Sequence, residues 1–290
     1  RGYKTGDMKN ISIIGVGLIG GSFALDLRDH IPGASISGID QNLNHLKEAL
    51  ELGIIDLAGD LETVRSADLV VLALPVNASI KLLIQVLELI PTKAIVIDMG
   101  STKKAICESV DTHPNRANFL ATHPIAGTEF SGPSAAVKGL FKNKTNIICE
   151  LDKTSKALST KIIALFNKMG MRIRKMTAID HDKHIAYVSH LSHISSFMLG
   201  KTVIDKEKNE IDIFDMAGSG FESTVRLAKS SPAMWTPIFE QNKENVIETL
   251  TEYIHNLNQF KTYMENDNFD AIFSEMKNTN HIKKILKGIA

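Results

Sequence analysis

Along the first 175 positions, short runs rich in apolar residues alternate with stretches whose apolar residues recur at helical spacing. The runs are Ile11–Ile14, Ala34–Ile39, Ala67–Leu74, Ala94–Asp98, Phe119–Ala121, Asn146–Cys149 and Met171–Ile173. Val- and Ile-rich runs without polar alternation mark strands buried on both faces. Between them, the segment opening Phe23-Ala24-Leu25-Asp26-Leu27, then Leu43–Leu52 and Ala78–Leu89, carry the spacing of helices. This alternation predicts an α/β fold with a doubly wound, mostly parallel sheet. From Thr177 onward breakers become sparse, apart from Gly200, Gly218, Gly220 and Gly288. The spacing there predicts helices near Asp180–Ile204, Phe214–Lys229, Ala233–Asn266 and Asn268–Leu286. A connection or helix join is expected within Asp212–Gly220, because Gly218-Ser219-Gly220 is a poor helix interior. The chain therefore divides into an α/β domain over 8–175 and an all-helical domain over 176–290. Long apolar helices in such a tail suggest packing against a second copy, so a helical dimerisation domain is expected. There are no internal repeats and no low-complexity tract.

The first strand runs directly into Gly15-Val16-Gly17-Leu18-Ile19-Gly20-Gly21-Ser22, which has the spacing G-x-G-x-x-G and opens a helix. In a dinucleotide site the three glycines permit, in turn, a tight turn, close approach of backbone to pyrophosphate, and close helix–strand packing. The helix start offers free N–H groups and the positive dipole end to the phosphates. The second strand ends in Asp40, placed to accept both hydroxyls of the adenosine ribose. Its charge would repel a 2′-phosphate, so NAD is expected rather than NADP. The bland alternative is an ordinary glycine turn, but strand, turn, helix and acidic residue occur together.

Composition narrows the partners. Lys plus Arg and Asp plus Glu each number 33, so the formal charge is zero, and neither nucleic acid nor an anionic membrane surface is implied. No apolar run approaches the ~20 residues that cross a bilayer. The two cysteines, Cys107 and Cys149, show neither metal spacing nor a disulfide framework, which fits reduced thiols in a cytoplasmic protein. Arg1 to Asp7 carry no secretory pattern, and Met8-Lys9-Asn10 reads as a native start; the fold is read without the residues before it.

Ligands of doubly wound folds bind beyond the carboxyl ends of the strands. Three segments fall there. Leu74-Pro75-Val76-Asn77 is placed to wall the nicotinamide side of a cofactor. In Asp98-Met99-Gly100-Ser101-Thr102-Lys103, Ser101 is positioned to cap the next helix, to orient a histidine ring, or both. His123, just after the strand Phe119–Ala121, suits proton uptake from an alcohol undergoing oxidation, although a loop histidine bonded to its own turn is an equal reading. In the helical half, His181, His184, His190 and His193 share one segment with Ser189. No third metal ligand stands at a familiar spacing, so substrate contact across a cleft and plain helix-face histidines remain open, and no metal is expected. Arg226 lies among Val225, Leu227 and Ala228, where a guanidinium needs a partner such as a substrate carboxylate or a structural anion. Trp235, the only tryptophan, reads as core or interface packing.

Taken together, these strings resemble the prephenate dehydrogenase family, which also contains arogenate and cyclohexadienyl dehydrogenases. The carriers are G-V-G-L-I-G-G-S at Gly15–Ser22, D-M-G-S-T-K at Asp98–Lys103 and H-P-I-A-G-T-E-F-S-G at His123–Gly132. S-H-L-S-H at Ser189–His193 and G-S-G-F-E-S-T-V-R-L-A-K-S-S-P-A-M-W at Gly218–Trp235 complete the likeness, which spans Met8 to about Ile285. It implies a Rossmann-like nucleotide domain and a homodimer formed through the helical domain. It implies NAD-dependent oxidative decarboxylation of prephenate to 4-hydroxyphenylpyruvate in tyrosine biosynthesis. His123 would be the base, held by Ser101. Arg226 would take the ring carboxylate and His193 the pyruvyl side chain, with Ser189, His190 and Thr128 lining the same site. Gly15, Gly17, Leu18, Ile19, Gly20, Asp40, Leu74, Pro75 and Ser101 would contact the cofactor.

The likeness departs at Glu222-Ser223, where many relatives carry Arg-Asp, so an ion-pair device through that pair is not expected. The motifs leave no length here for a fused mutase or a regulatory domain, so any tyrosine feedback is expected at the active site. Arogenate, or both substrates, is the nearest alternative; an imidazole at His193 is expected to suit an anionic keto side chain better than an ammonium group. A non-catalytic NAD-binding dimer is disfavoured by the joint presence of His123 and Arg226. Other β-hydroxyacid dehydrogenases typically use a catalytic lysine in the helical domain, and the motifs do not match theirs.

Overall fold

The computed structural model describes residues 8–128, 130–208 and 212–287. The segment 1–7, Glu129 of the His123 string and Gly288 therefore lie outside the described residues. The chain forms two compact units, one ending at Lys243 and one beginning at Glu244.

The first unit is built on one eight-stranded sheet with the order β3-β2-β1-β4-β5-β6-β7-β8. The strands are β1 Asn10–Ile14, β2 Ser35–Ile39, β3 Leu57–Ala58, β4 Leu69–Leu72, β5 Ile95–Asp98, β6 Phe119–Pro124, β7 Thr145–Cys149 and β8 Arg172–Met176. Every pairing is parallel except β6 with β7, where His123 stands opposite Ile147. Helices α1 Leu18–His30, α2 Leu43–Glu51, α3 Val76–Leu89, α4 Lys104–Ser109 and α5 Lys156–Lys168 connect the strands. The two faces have separate cores. One joins Phe23 and Leu27 of α1, Leu46 and Ala49 of α2, and Ile162, Leu165 and Phe166 of α5 to the sheet. The other joins Leu83, Val86 and Leu87 of α3 and Ile106 and Cys107 of α4 to the opposite face. Phe23 is fully buried and meets Phe141 edge-on at 5.6 Å, a burial worth about 2–3 kcal/mol. This is the doubly wound, mostly parallel architecture that the apolar runs predict.

The strand order reverses direction between β1 and β4, so the crevice at their carboxyl ends is the place for a ligand. Two departures from the sequence pattern bear on it. β3 is only two residues, Leu57 and Ala58, both exposed, and too short and polar in context to register as a run. β6 continues past Ala121 to Pro124, so His123 is a buried strand residue rather than a loop residue.

After β8 the chain is helical. α6 Ala178–Ile185 leads through a π-helical turn, Ala186–His190, into α7 Leu191–Glu207, so the expected single helix carries a widened turn. Thr177 starts α6 by accepting the Asp180 N–H on its hydroxyl at 3.0 Å. The stretch expected as Phe214–Lys229 is broken near Ala217 and Gly218, as the glycines require; α8 is Ser219–Val225, followed by a 3-10 turn over Arg226–Lys229. The expected helix Ala233–Asn266 is two, α9 Pro232–Gln241 and α10 Lys243–Glu265, parted at Asn242, whose side chain is drawn into the first unit's interior. The last predicted helix likewise divides into α11 Phe269–Thr279 and α12 Ile282–Lys287. Among the described residues no helix is long and apolar enough to cross a membrane.

Candidate active site

At the β1 end of the crevice, backbone shape does most of the work. Gly15 holds φ +93°, and a Cβ there would lie 2.3 Å from the Ala73 carbonyl oxygen. At Gly20 a Cβ would lie 1.9 Å from the Gly15 oxygen, so α1 packs onto the strand only because both positions lack side chains. Gly17 is different: the only atom near its Cβ position is the Gly132 nitrogen, 3.9 Å away. That open cradle is what an approaching pyrophosphate needs, so the residues present fit the dinucleotide. The first bond inside α1 is Gly21 N–H to Gly17 O, leaving the N–H groups of Leu18, Ile19 and Gly20 without intrahelical partners. Asp40 accepts the Val16 N–H at 3.2 Å and the Asn42 N–H at 2.9 Å, fixing its carboxylate beside the glycine turn. Leu74 packs against Gly15, while Pro75 begins α3 and is exposed. The loop after β6 is anchored over α1: Ser22 accepts the Val137 N–H at 2.8 Å and Asp26 the Gly139 N–H at 2.6 Å.

At the ends of β5 and β6 lies a buried polar group. Lys103 and Asp98 form an ion pair with both side chains out of solvent. Burial pushes the Asp98 carboxyl up, and Lys103 with the N–H groups of Thr122 and Gly100 pulls it back. His123 Nδ1 lies 2.8 Å from His181 Nε2, and His181 Nδ1 lies 2.7 Å from Asp182 Oδ1. The same carboxylate accepts the N–H groups of Lys103 at 2.7 Å and Lys104 at 3.0 Å. Burial, reinforced by His181 and Lys103, holds the His123 imidazole well below its ordinary range, so the ring is neutral. His181 is also lowered by burial, with Asp182 opposing.

The network continues into the helical segment. Asn242 donates to the Asp182 carbonyl at 2.7 Å and lies 3.1 Å from His190 Nδ1. His190 is buried, its Nε2 has no hydrogen-bond partner, and burial holds its pKa down to about 4. It meets Trp235 edge-on, and His193 stacks on the same residue with ring centres 3.4 Å apart. His193 Nδ1 bonds the Ser189 carbonyl at 2.9 Å. Burial lowers His193, and the Arg226 guanidinium adds to that by its charge, so Arg226 lies within electrostatic reach of the ring. Ser196 donates to the Thr224 carbonyl at 2.7 Å and so ties the Arg226 segment to α7.

The structure thus brings together His123, His190, His193, Ser189 and Arg226, with Trp235 inside the group rather than in remote packing. Ser101 is placed otherwise than expected. The hydrogen bond of His123 goes to His181, and the start of α4 is capped by Asp182, which reaches both open N–H groups with its two oxygens; Ser101 carries neither bond. Thr128 is exposed, and its hydroxyl accepts the Phe130 N–H at 3.2 Å. His184 is exposed as well. Among the described residues no group of three His, Cys, Asp or Glu is arranged to hold a metal ion. Sequence reasoning missed Lys103, Asp98, Asp182 and Asn242. A signal was present for two of them: Asp98 is a charged residue ending an otherwise apolar strand, and Lys103 follows five positions on, within reach to pair with it.

A family model described as "Prephenate dehydrogenase, nucleotide-binding domain" matches residues 23–175, and one described as "Prephenate dehydrogenase, dimerization domain" matches 177–278. The chain is 32% identical over 271 residues to a prephenate dehydrogenase of Bacillus subtilis, covering 92% of this chain and 73% of that one. It is 29% identical to a cyclohexadienyl dehydrogenase of Zymomonas mobilis, covering 96% of each. Among solved structures it superposes with TM-score 0.89 and 32% identity on the prephenate dehydrogenase of A. aeolicus in complex with hydroxyphenyl propionate and NAD+, covering 98% of this chain and 99% of that one.

Proposed function

This chain belongs to the prephenate dehydrogenase family, and on that premise we propose that it converts prephenate to 4-hydroxyphenylpyruvate with NAD+. The observation that carries the reading is the neutral, buried His123 at the carboxyl end of β6, in the sheet whose β1 end holds the glycine cradle. Bound NAD+ would supply the hydride acceptor. The cradle of Gly15, Gly17 and Gly20, with the N–H groups of Leu18 and Ile19, would hold its pyrophosphate; Asp40 would accept the ribose hydroxyls, and Leu74 and Pro75 would flank the nicotinamide. His123 takes the proton of the ring hydroxyl as the same carbon loses hydride, and loss of carbon dioxide then makes the ring aromatic. Arg226 pairs with the ring carboxylate, and Ser189, His190 and His193 face the rest of the substrate. The protein's main contribution is positioning and fixed charge. Ser101 and Thr128 keep a part only as contacts at the edge of the site.

A second reading, for arogenate or both substrates, is favoured by one observation. With Nδ1–H spent on the Ser189 carbonyl, a neutral His193 offers a lone pair at Nε2, which suits an ammonium group; only the protonated ring can donate there to a keto acid. The deciding experiment is NADH formation from prephenate and arogenate side by side, between pH 6 and 8. Because His193 is held below its ordinary value of 6.5, the neutral ring predominates over most of this span, and the ratio of the two turnover rates is expected to change little above pH 6.5. Turnover of arogenate alone would overturn the substrate assignment, and turnover of neither would overturn the reaction.

The same reading carries a homodimer and a cytoplasmic location. The unit after Glu244 exposes Ile247, Ile254, Leu257, Phe260, Phe269 and Phe273, a surface that a second copy would cover, consistent with the description of the matched model. Cys107 and Cys149 are buried thiols, the first pushed up to about 12 by desolvation, and both are suited to a reducing compartment. The domain boundary near 175 and 176 is proposed on the change of pattern there.

A further inference from the structure

We propose that His181 and Asp182 are positioning residues for His123: they fix its proton on Nδ1 and leave the Nε2 lone pair as the base. This rests on the reading above for the identity of the base; the direction of the proton chain follows from the donors and acceptors around a buried, neutral His181. The Asp182 carboxylate already accepts the Lys103 and Lys104 N–H groups and only accepts. His181 must therefore place its proton on Nδ1, 2.7 Å from Asp182 Oδ1. A neutral His181 then has only a lone pair at Nε2, 2.8 Å from His123 Nδ1, so His123 must donate from Nδ1. Its remaining ring nitrogen is unprotonated before any substrate arrives.

The wrong tautomer would present an N–H to the hydroxyl it must deprotonate, so the direction of this chain decides whether His123 is a base at all. When His123 gains a proton at Nε2, the imidazolium formed donates from Nδ1 to His181, whose own N–H leans on the Asp182 carboxylate. No atom leaves and no further reactant is needed. Both rings and the carboxylate are buried, the side chains of His181 and Asp182 at 0% and 3% exposure, which keeps water from competing for the bonds. The remaining charged or titratable groups facing His123 are Lys103 at the start of α4, paired with Asp98 of β5, and His190 on the π turn; none of them is altered by the variants below.

The test uses the whole chain. His181→Leu removes the acceptor, and His181→Gln restores one at similar reach. Against wild type, kcat is expected to fall about 100-fold in His181→Leu with KM for NAD+ and prephenate within about threefold, and about tenfold of the loss to return in His181→Gln. The acidic limb of the kcat profile should move to lower pH in His181→Gln, because the His123 imidazolium loses the backing of Asp182. An undiminished kcat in His181→Leu overturns the proposal; so do equal losses in both variants accompanied by equal falls in thermal midpoint, which would mean packing alone. A readout independent of turnover is long-range 1H–15N NMR of histidine-labelled wild-type protein. His123 as the Nδ1–H form supports the proposal, and the Nε2–H form overturns it. If wild type turns over neither substrate, the reaction assignment fails while this spectrum still decides the tautomer.

Discussion

The β1–α1 turn and the π turn between α6 and α7 face the same chemistry by opposite means. At the first, absent side chains do the work: Gly15, Gly17 and Gly20 let backbone meet backbone and leave one open cradle. At the second, side chains do most of the work: His181, Asp182, Asn242 and His190 are joined by hydrogen bonds, and His190 and His193 both pack on Trp235. A backbone site is stated by residues next to one another in the chain. A side-chain network is stated by residues 60 positions apart, such as Asp182 and Asn242, and becomes visible only once the chain is folded.

The comparison breaks first at the residue where the two ends meet. His123→Asn is expected to cost at least about 1,000-fold in kcat while NAD+ and substrate still bind, because it removes the proton acceptor and little volume; calorimetric titration beside the rate measurement checks both halves. Unchanged turnover would place the base elsewhere. Next comes the backbone end. Gly20→Ala puts a methyl 1.9 Å from a carbonyl oxygen, and is expected to lower stability by about 3 kcal/mol and NAD+ affinity at least about tenfold, read by denaturant unfolding and fluorescence titration.

The network end is sharpened by pH. An unfolded chain takes up a proton at His190 as pH falls through 6.5, whereas burial keeps the folded ring neutral down to about 4. Stability from this residue is therefore complete above pH 6.5 and lost progressively between there and about 4, with up to about 3 kcal/mol at stake. His190→Gln should flatten the acid slope of the thermal midpoint. The smallest effect expected is at Asp40. Asp40→Asn keeps an oxygen for the Val16 N–H and removes the charge, so discrimination against NADP+ should weaken by about tenfold, as kcat/KM with each nucleotide will show. Equal use of NADP+ by wild type would sink that role.

Much of this was legible beforehand. Runs rich in Val and Ile specify strands buried on both faces, and the glycine spacing specifies its own turn, so the sheet and the cofactor end follow from local chemistry. His123, His190, His193 and Arg226 were legible as types in a pattern, and the fold places them together. Ser101 misled because a serine before a helix is the usual cap; here an aspartate from another helix reaches both open N–H groups and displaces it. Asn242 looked like one more residue of a long helix, yet its bonds to Asp182 and His190 outweigh helix continuity at that point. Nothing in the spacing of polar residues foretells such a bond, because its partner is chosen by tertiary packing.

The π turn at Ala186–His190 also sets an angular phase. An uninterrupted α-helix turns about 100° per residue, so positions nine apart, such as His181 and His190, would point about half a turn away from each other. Widening the helix over five residues holds back that rotation and swings His190 and His193 round toward the side that His181 already occupies. Removing a single residue from this turn would restore a regular helix with the same two histidines eight apart, about 80° from each other, so the widened turn absorbs one extra residue without throwing the histidine pairs out of step.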